Sequence, residues 1–316
     1  MFWATYSRFE SRRLIASKSL AASVFFGTAS SQAGGAFPQF FPLGVEVLVG
    51  DEPRIAPLAA SPGVPNANVF RTFARNPPAD ALRKVGRAPS RVAGIPIALK
   101  DLFDIAGIYL DLKPEQVARC IEQVGVGFMF APNHHPAMKN VVPIRKQLGV
   151  RTIFNILGPL TNPADAKRIL MGVFHPDLVG IQARVLQALG MDHALVVYGR
   201  DGLDEISLEG PTLVGELKDG VVREYEIHPK DFGLNTAPTI SFKVANAEES
   251  KKIVLDVIDN KPGPASDIVC LNAGATLYVA GIAPDIASGI TKAKAAISSG
   301  VARQKLDAFV ASTQSK

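Results

Sequence analysis

The 316-residue chain predicts an α/β fold: a mostly parallel sheet with flanking helices, preceded by a largely irregular N-terminal segment. Three observations carry this. Behind Pro114, the apolar positions Val117, Cys120, Ile121 and Val124 recur at helical spacing. After Pro163, short Val- and Leu-rich segments alternate with longer helical patterns, the order expected of strands and helices in an α/β domain. In residues 37–96 stand 10 of the 23 prolines, a density that interrupts helices and central strands.

Taken in order, the elements are as follows. A short helix fits residues 79–85. The first strongly periodic helix runs over 114–124, with Pro114 at a first-turn position and Gly125 as its stop. A second runs over 136–148, with Met138, Val141, Val142 and Leu148 on one face and Gly149 beyond it. Residues 169–174 predict a strand, 178–189 a helix and 194–198 a buried strand. Residues 212–217 and 221–227 predict a hairpin, because Asp219-Gly220 is a tight-turn pair. Helices are expected over 247–258, 267–279 and 285–298.

Composition excludes several function classes. The net charge is +5 and the pI about 9.2. Residues 1–107 hold 12 Lys and Arg against 7 Asp and Glu, and the remaining residues are balanced. The basic excess therefore argues for neither nucleic acid nor an anionic membrane as partner of the periodic part. No apolar run approaches the roughly 18 residues of a membrane span. Cys120 and Cys270 have no metal or disulfide spacing and predict small buried thiols. Residues 1–36, with Arg8, Arg12, Arg13 and Lys18 against Glu10, fit a disordered or misjoined segment, with an organellar transit peptide as the lesser alternative. The cytoplasm is the expected compartment.

Several residues invite chemistry. Arg145 lies on the apolar stripe of the 136–148 helix, and a guanidinium there needs an anionic partner. Periodicity alone favours a salt bridge; a bound carboxylate is the other reading. His135 stands at the start of the same helix, where a histidine ordinarily hydrogen-bonds the helix end. Pro159 stiffens the Gly158-Pro159 turn and reads as a loop proline or an apolar wall. Asp204 and Glu205 follow the 194–198 strand, where open α/β sheets bind ligands. Two adjacent acids there suit Mg²⁺, which takes one or two carboxylates together with waters and substrate phosphates. From these residues alone, a helix N-terminus at Ile206-Ser207 is the favoured reading.

The run Phe130-Ala131-Pro132-Asn133-His134-His135-Pro136-Ala137-Met138 continues through Pro143-Ile144-Arg145-Lys146. It leads on to Phe154-Asn155-Ile156-Leu157-Gly158-Pro159-Leu160-Thr161-Asn162-Pro163. With Gly202-Leu203-Asp204-Glu205, this resembles the anthranilate phosphoribosyltransferase family over residues 108–316. The resemblance implies a nucleoside phosphorylase- and phosphoribosyltransferase-like fold. Residues 114–149 would be remnants of a helical domain, and residues 150–316 the α/β domain. It implies tryptophan biosynthesis: anthranilate and phosphoribosyl pyrophosphate give phosphoribosyl-anthranilate and pyrophosphate. Arg145 would bind the anthranilate carboxylate, His135 would stand beside the ring, and Pro159 would be an apolar wall. Asp204 and Glu205 would hold Mg²⁺. It also implies a homodimer, whose interface domain is largely missing from this sequence.

Three family segments do not occur in the 316 residues: the Gly-Thr-Gly-Gly-Asp loop that cradles pyrophosphate, an Asn-x-Ser-Thr loop and a Lys-His-Gly-Asn segment. The chain is therefore expected to be inactive as written, a truncated or chimeric member. Upstream, Gly94-Ile95-Pro96-Ile97-Ala98-Leu99-Lys100-Asp101 with Phe103-Asp104-Ile105-Ala106-Gly107 resembles the start of the amidase signature family. There Lys100 would be the triad lysine, but no Ser-rich nucleophile segment follows. A changeover near residue 107 is expected. The alternatives are a non-catalytic chimeric remnant, an amidase-type hydrolase fragment over about 66–107, and a pyrimidine nucleoside phosphorylase of the same architecture. Helices 114–124 and 136–148 are further expected to lack part of their usual cover.

Overall fold

The computed structural model describes residues 2–5, 29–30, 40–41, 107–130, 154–160, 166–242, 244 and 246–314. The expected helices at 79–85 and 136–148, and the site candidates Lys100, His135 and Arg145, lie outside the described residues. Two small antiparallel ladders pair β1 (Phe2–Thr5) with β4 (Gly127–Phe130) and β2 (Ala29–Ser30) with β3 (Phe40–Phe41).

The main sheet has four strands in the order β5 (Arg168–Gly172), β6 (His193–Gly199), β7 (Thr212–Lys218) and β8 (Val221–Ile227). β5 and β6 are parallel, joined by the crossover helix α3 (Asp177–Ala188). β7 and β8 run antiparallel to their neighbours. Among the described strands the sheet is thus mixed, which corrects the expectation of a mostly parallel one. The link from β6 to β7 contains no helix to carry the chain back across the sheet, and Asp219-Gly220 returns the chain directly. Asp219 (φ 52°) and Gly220 (φ 73°) both adopt positive φ, the condition of the twist-matched two-residue turn.

Period two explains the core. Ile169, Met171, Ala194 and Val196 face α3, while Leu170, Leu195 and Val197 face the opposite layer. Both faces are covered, which is why β5 and β6 read as continuous apolar runs. The second layer is α5 (Pro264–Val279), buried around nearly its whole circumference, backed by α6 (Ile286–Ser298). Asp285 caps α6 by accepting a hydrogen bond from the Ser288 N–H at 2.7 Å.

α5 and α6 meet backbone to backbone. A Cβ on Gly289 would lie 2.2 Å from the Gly274 carbonyl oxygen, and one on Gly274 would lie 2.5 Å from the Ile290 nitrogen. Gly289→Ala is therefore expected to force the two helices apart and destabilise the domain by about 1–3 kcal/mol or more. A lowered urea midpoint with an unchanged slope would register this; an unchanged midpoint would contradict the close approach.

A second core holds α1 (Pro114–Val124), which ends at Gly125 in the left-handed conformation (φ 83°), at the expected boundaries. Its stripe is not left bare. Val117, Cys120 and Val124 are buried with Ile108, Leu110, Leu112, Val126 and Phe128 against Val254 of α4 (Ala247–Ile258) and Leu306 and Phe309 of α7 (Val301–Gln314). The expectation of missing cover fails for Val117 and Val124, while Ile121 is only partly buried. α7 supplies much of the cover, and sequence reading did not assign it. Further ties fasten the two ends together: Lys305 Nζ donates to the Val124 carbonyl at 2.6 Å and the Tyr109 N–H to Thr313 Oγ1 at 3.1 Å. Both cysteines are buried free thiols, as expected.

Candidate functional site

Asp204 and Glu205 sit at the C-terminal end of the parallel pair, the end at which open α/β sheets receive ligands. They lie in the loop leaving β6, and this loop reaches back over β5. A Cβ on Gly172, the last residue of β5, would lie 1.6 Å from the Asp204 carbonyl oxygen, so only glycine lets the loop settle there. No helix follows the pair: residues 203–211 are turns and irregular backbone up to β7. The alternative reading of two acids favouring a helix start at Ile206-Ser207 is thereby corrected.

The loop is pinned on both sides of the acids. Asp201 Oδ2 accepts from Ser207 Oγ at 3.0 Å and from Thr239 Oγ1. Ser207 in turn takes the Glu209 N–H at 2.9 Å, and Glu209 takes the Thr239 N–H at 2.8 Å. From α5, the buried Asn272 bonds both backbone groups of Ile206. Asp201, Gly172 and Asn272 are site-building residues that sequence reading missed. Asn272 carried a signal, as a lone amide in the run Cys270-Leu271-Asn272-Ala273-Gly274-Ala275. Gly172 carried none, because its requirement arises from a loop distant in sequence.

Electrostatics mark Glu205. Burial, and secondarily the neighbouring Asp204 carboxylate, pushes its carboxyl up from 4.5 to about 8. Burial and the neighbouring carboxylate oppose a second negative charge on this pair, and a divalent cation such as Mg²⁺ would offset it. Among the described residues no group of three or more His, Cys, Asp or Glu could form a complete protein cage. The pair therefore fits an ion that takes its remaining oxygens from water and a phosphorylated substrate.

Pro159 is buried in a short 3₁₀ turn, Gly158–Leu160, directly after α2 (Phe154–Leu157). Ile156 and Leu160 pack on the α3 side of the sheet, and Gln182 Nε2 of α3 donates to the Ile156 carbonyl at 3.1 Å. The turn and the acid loop are thus both anchored to the β5–β6–α3 unit, by different contacts.

A second titratable cluster lies at the opposite pole, where β5 and β6 begin. His193, Tyr225 and Tyr278 surround Glu216, with Tyr278 Oη at 2.6 Å from Glu216 Oε1 and Lys218 Nζ donating to Tyr278 Oη at 3.0 Å. Burial would raise the Glu216 carboxyl, but the hydrogen bonds from His193, Tyr278 and Tyr225 outweigh it and hold the group at about 2. A cavity of about 480 Å³ opens beside this cluster, lined among others by Arg168, Asp192, Lys218 and Tyr278. The cluster's polar atoms bond one another, and it stands at the strand end away from the acid loop.

Comparison with known proteins identifies the fold and the family. The family model described as "Glycosyl transferase family, a/b domain" matches residues 86–303. Its match begins upstream of the changeover expected near 107 and takes in Lys100. The anthranilate phosphoribosyltransferase of Polynucleobacter asymbioticus is 82% identical over 232 residues, covering 73% of this chain and 68% of its own length. The structure of the Thermus thermophilus enzyme superposes with a TM-score of 0.64 at 40% identity, over 72% of this chain and 67% of that one. The Saccharomyces cerevisiae enzyme in complex with PRPP and Mg gives a TM-score of 0.62 at 26% identity, over 70% and 64%. The mixed sheet, the flanking helices and the extended sequence identity lead to one conclusion: this chain belongs to the anthranilate phosphoribosyltransferase family.

Proposed function

We propose that this chain carries the magnesium-binding part of the family's site, and that Asp204 and Glu205 are the Mg²⁺ ligands. The observation that carries this is the acid pair at the C-terminal strand end, with Glu205 raised to about 8 beside Asp204. A Mg²⁺ ion there would balance charge on the pyrophosphate of phosphoribosyl pyrophosphate, the co-substrate of the family reaction in tryptophan biosynthesis. Pro159, buried in its rigid turn, supports the reading as an apolar wall for anthranilate. Arg145 as carboxylate anchor and His135 beside the ring complete the assignment on the strength of their sequence context. The compartment that fits is the cytoplasm. On this reading residues 108–316 form a partial transferase domain, and the homodimer of the family would be weakened.

The Gly-Thr-Gly-Gly-Asp segment is absent from the 316 residues. Preorganised donors aimed at a leaving group are worth roughly 10²–10³ in rate each. We therefore expect purified chain, supplied with phosphoribosyl pyrophosphate and Mg²⁺, to consume anthranilate far more slowly than a complete relative. Loss of anthranilate fluorescence measures this, and turnover of about 1 s⁻¹, an ordinary enzyme rate, would refute the impaired-enzyme reading. An amidase role for Lys100 ranks lower, since the transferase family match includes that residue.

A further inference from the structure

Asn272 holds the backbone one residue beyond Glu205. Its Oδ1 accepts the Ile206 N–H at 3.0 Å, and its Nδ2 donates to the Ile206 carbonyl at 2.9 Å. These two bonds close a ring between one side-chain amide and one loop residue. The same Nδ2 donates to the Ile268 carbonyl at 3.1 Å, one turn back in α5. Two carbonyls on one corner of the amide and an N–H on the other define which atom is nitrogen. Asn272 is 4% exposed, and its sequence neighbours in the helix are apolar: Leu271, Ala273 and Ala275 are buried beside it. A buried amide is costly unless it is hydrogen-bonded. Both of its bonds outside the helix go to the loop. An apolar side chain here would pack against apolar neighbours but would leave the buried Ile206 N–H and carbonyl without these two partners.

We propose that Asn272 is a positioning residue for the cation site: by gripping Ile206 it holds the 204–206 backbone in the conformation in which the acid pair binds a divalent ion. The inference rests on Asp204 and Glu205 being the metal ligands. Residues that orient ligands from behind typically cost about 10–100-fold in metal affinity when changed.

The test uses the full chain and Mn²⁺ alone, with free ion followed by its paramagnetic resonance signal. Four proteins are compared with the parent: Asn272→Ala, Asn272→Asp, the double variant Asp204→Asn/Glu205→Gln, and Leu271→Ala. Asn272→Asp keeps an acceptor for Ile206 N–H but loses both donors. Leu271→Ala removes buried volume from the same helix without touching the loop. The expected result is Mn²⁺ binding weakened about 10–100-fold in both Asn272 variants, abolished in the double variant and unchanged in Leu271→Ala. Amide hydrogen exchange should also quicken in residues 200–211 of Asn272→Asp, and this decides the matter if Asn272→Ala does not fold. Parent-like affinity and loop protection in the Asn272 variants, with the double variant failing, would overturn the positioning role and leave the metal assignment standing. A parent that binds no Mn²⁺, or a double variant that binds it like the parent, would remove both.

Discussion

Gly172→Ala is expected to displace the acid loop from the sheet and to abolish divalent-ion binding. The added Cβ would stand 1.6 Å from the Asp204 carbonyl oxygen, less than half an ordinary contact distance, and that oxygen belongs to backbone rather than to a flexible side-chain end. Something must move. β5 is hydrogen-bonded in register to β6, Gly172 opposite Val197, and both its faces are covered, so the loop is the part that gives. Its ties to Asn272 and Thr239 then stretch or break. Overpacking of this kind costs about 1–3 kcal/mol and occasionally more. The predicted outcome is a protein with a lowered urea midpoint, native far-ultraviolet circular dichroism and no measurable Mn²⁺ binding. Parent-like ion binding in a folded Gly172→Ala chain would show that the loop does not rest on β5 in solution.

The second large effect concerns pH. Glu205 is raised from 4.5 to about 8 in the folded chain, first by burial and then by Asp204. Between those two values the folded state holds a proton that the unfolded state has released. Stability therefore falls as pH rises through this window and levels off above about 8. At about 1.4 kcal/mol per pH unit the loss amounts to a few kcal/mol at most. Glu205→Gln stays neutral throughout. It should remove most of this decline and be more stable than the parent at pH 8–9, while losing ion binding. Millimolar Mg²⁺ should in turn stabilise the parent at pH 8 and leave Glu205→Gln unaffected. Denaturant midpoints for both proteins from pH 5 to 9, with and without Mg²⁺, check each part. Parallel pH curves for the two would mean that Glu205 ionises normally.

Much of the architecture is written locally. Pro114, the stripe of Val117, Cys120 and Val124, and Gly125 specify α1 at its observed ends, because capping and a 3.6-residue period are properties of a dozen neighbouring residues. Asp219-Gly220 specifies the hairpin for the same reason, since the positive φ it needs is a cost paid within two residues. The continuous apolar runs of β5 and β6, and the adjacency of Asp204 and Glu205, were equally legible. By itself, then, the sequence determined most of the elements, the family resemblance and the position of the acid pair.

Tertiary structure decided what joins distant residues. The sheet is mixed because β7 returns without a crossover helix, a matter of where the chain is free to go rather than of strand propensity. The stripe of α1 is covered because α7 carries Leu306 and Phe309 to it from the far end of the chain. The acid pair stands at the strand end because Gly172 leaves room beneath it and Asn272 reaches it across 66 residues. Local periodicity encodes which side of an element is apolar. It does not encode which distant surface will meet that side, since the meeting depends on loop lengths, crossing angles and close approaches that exist only once the chain has closed on itself.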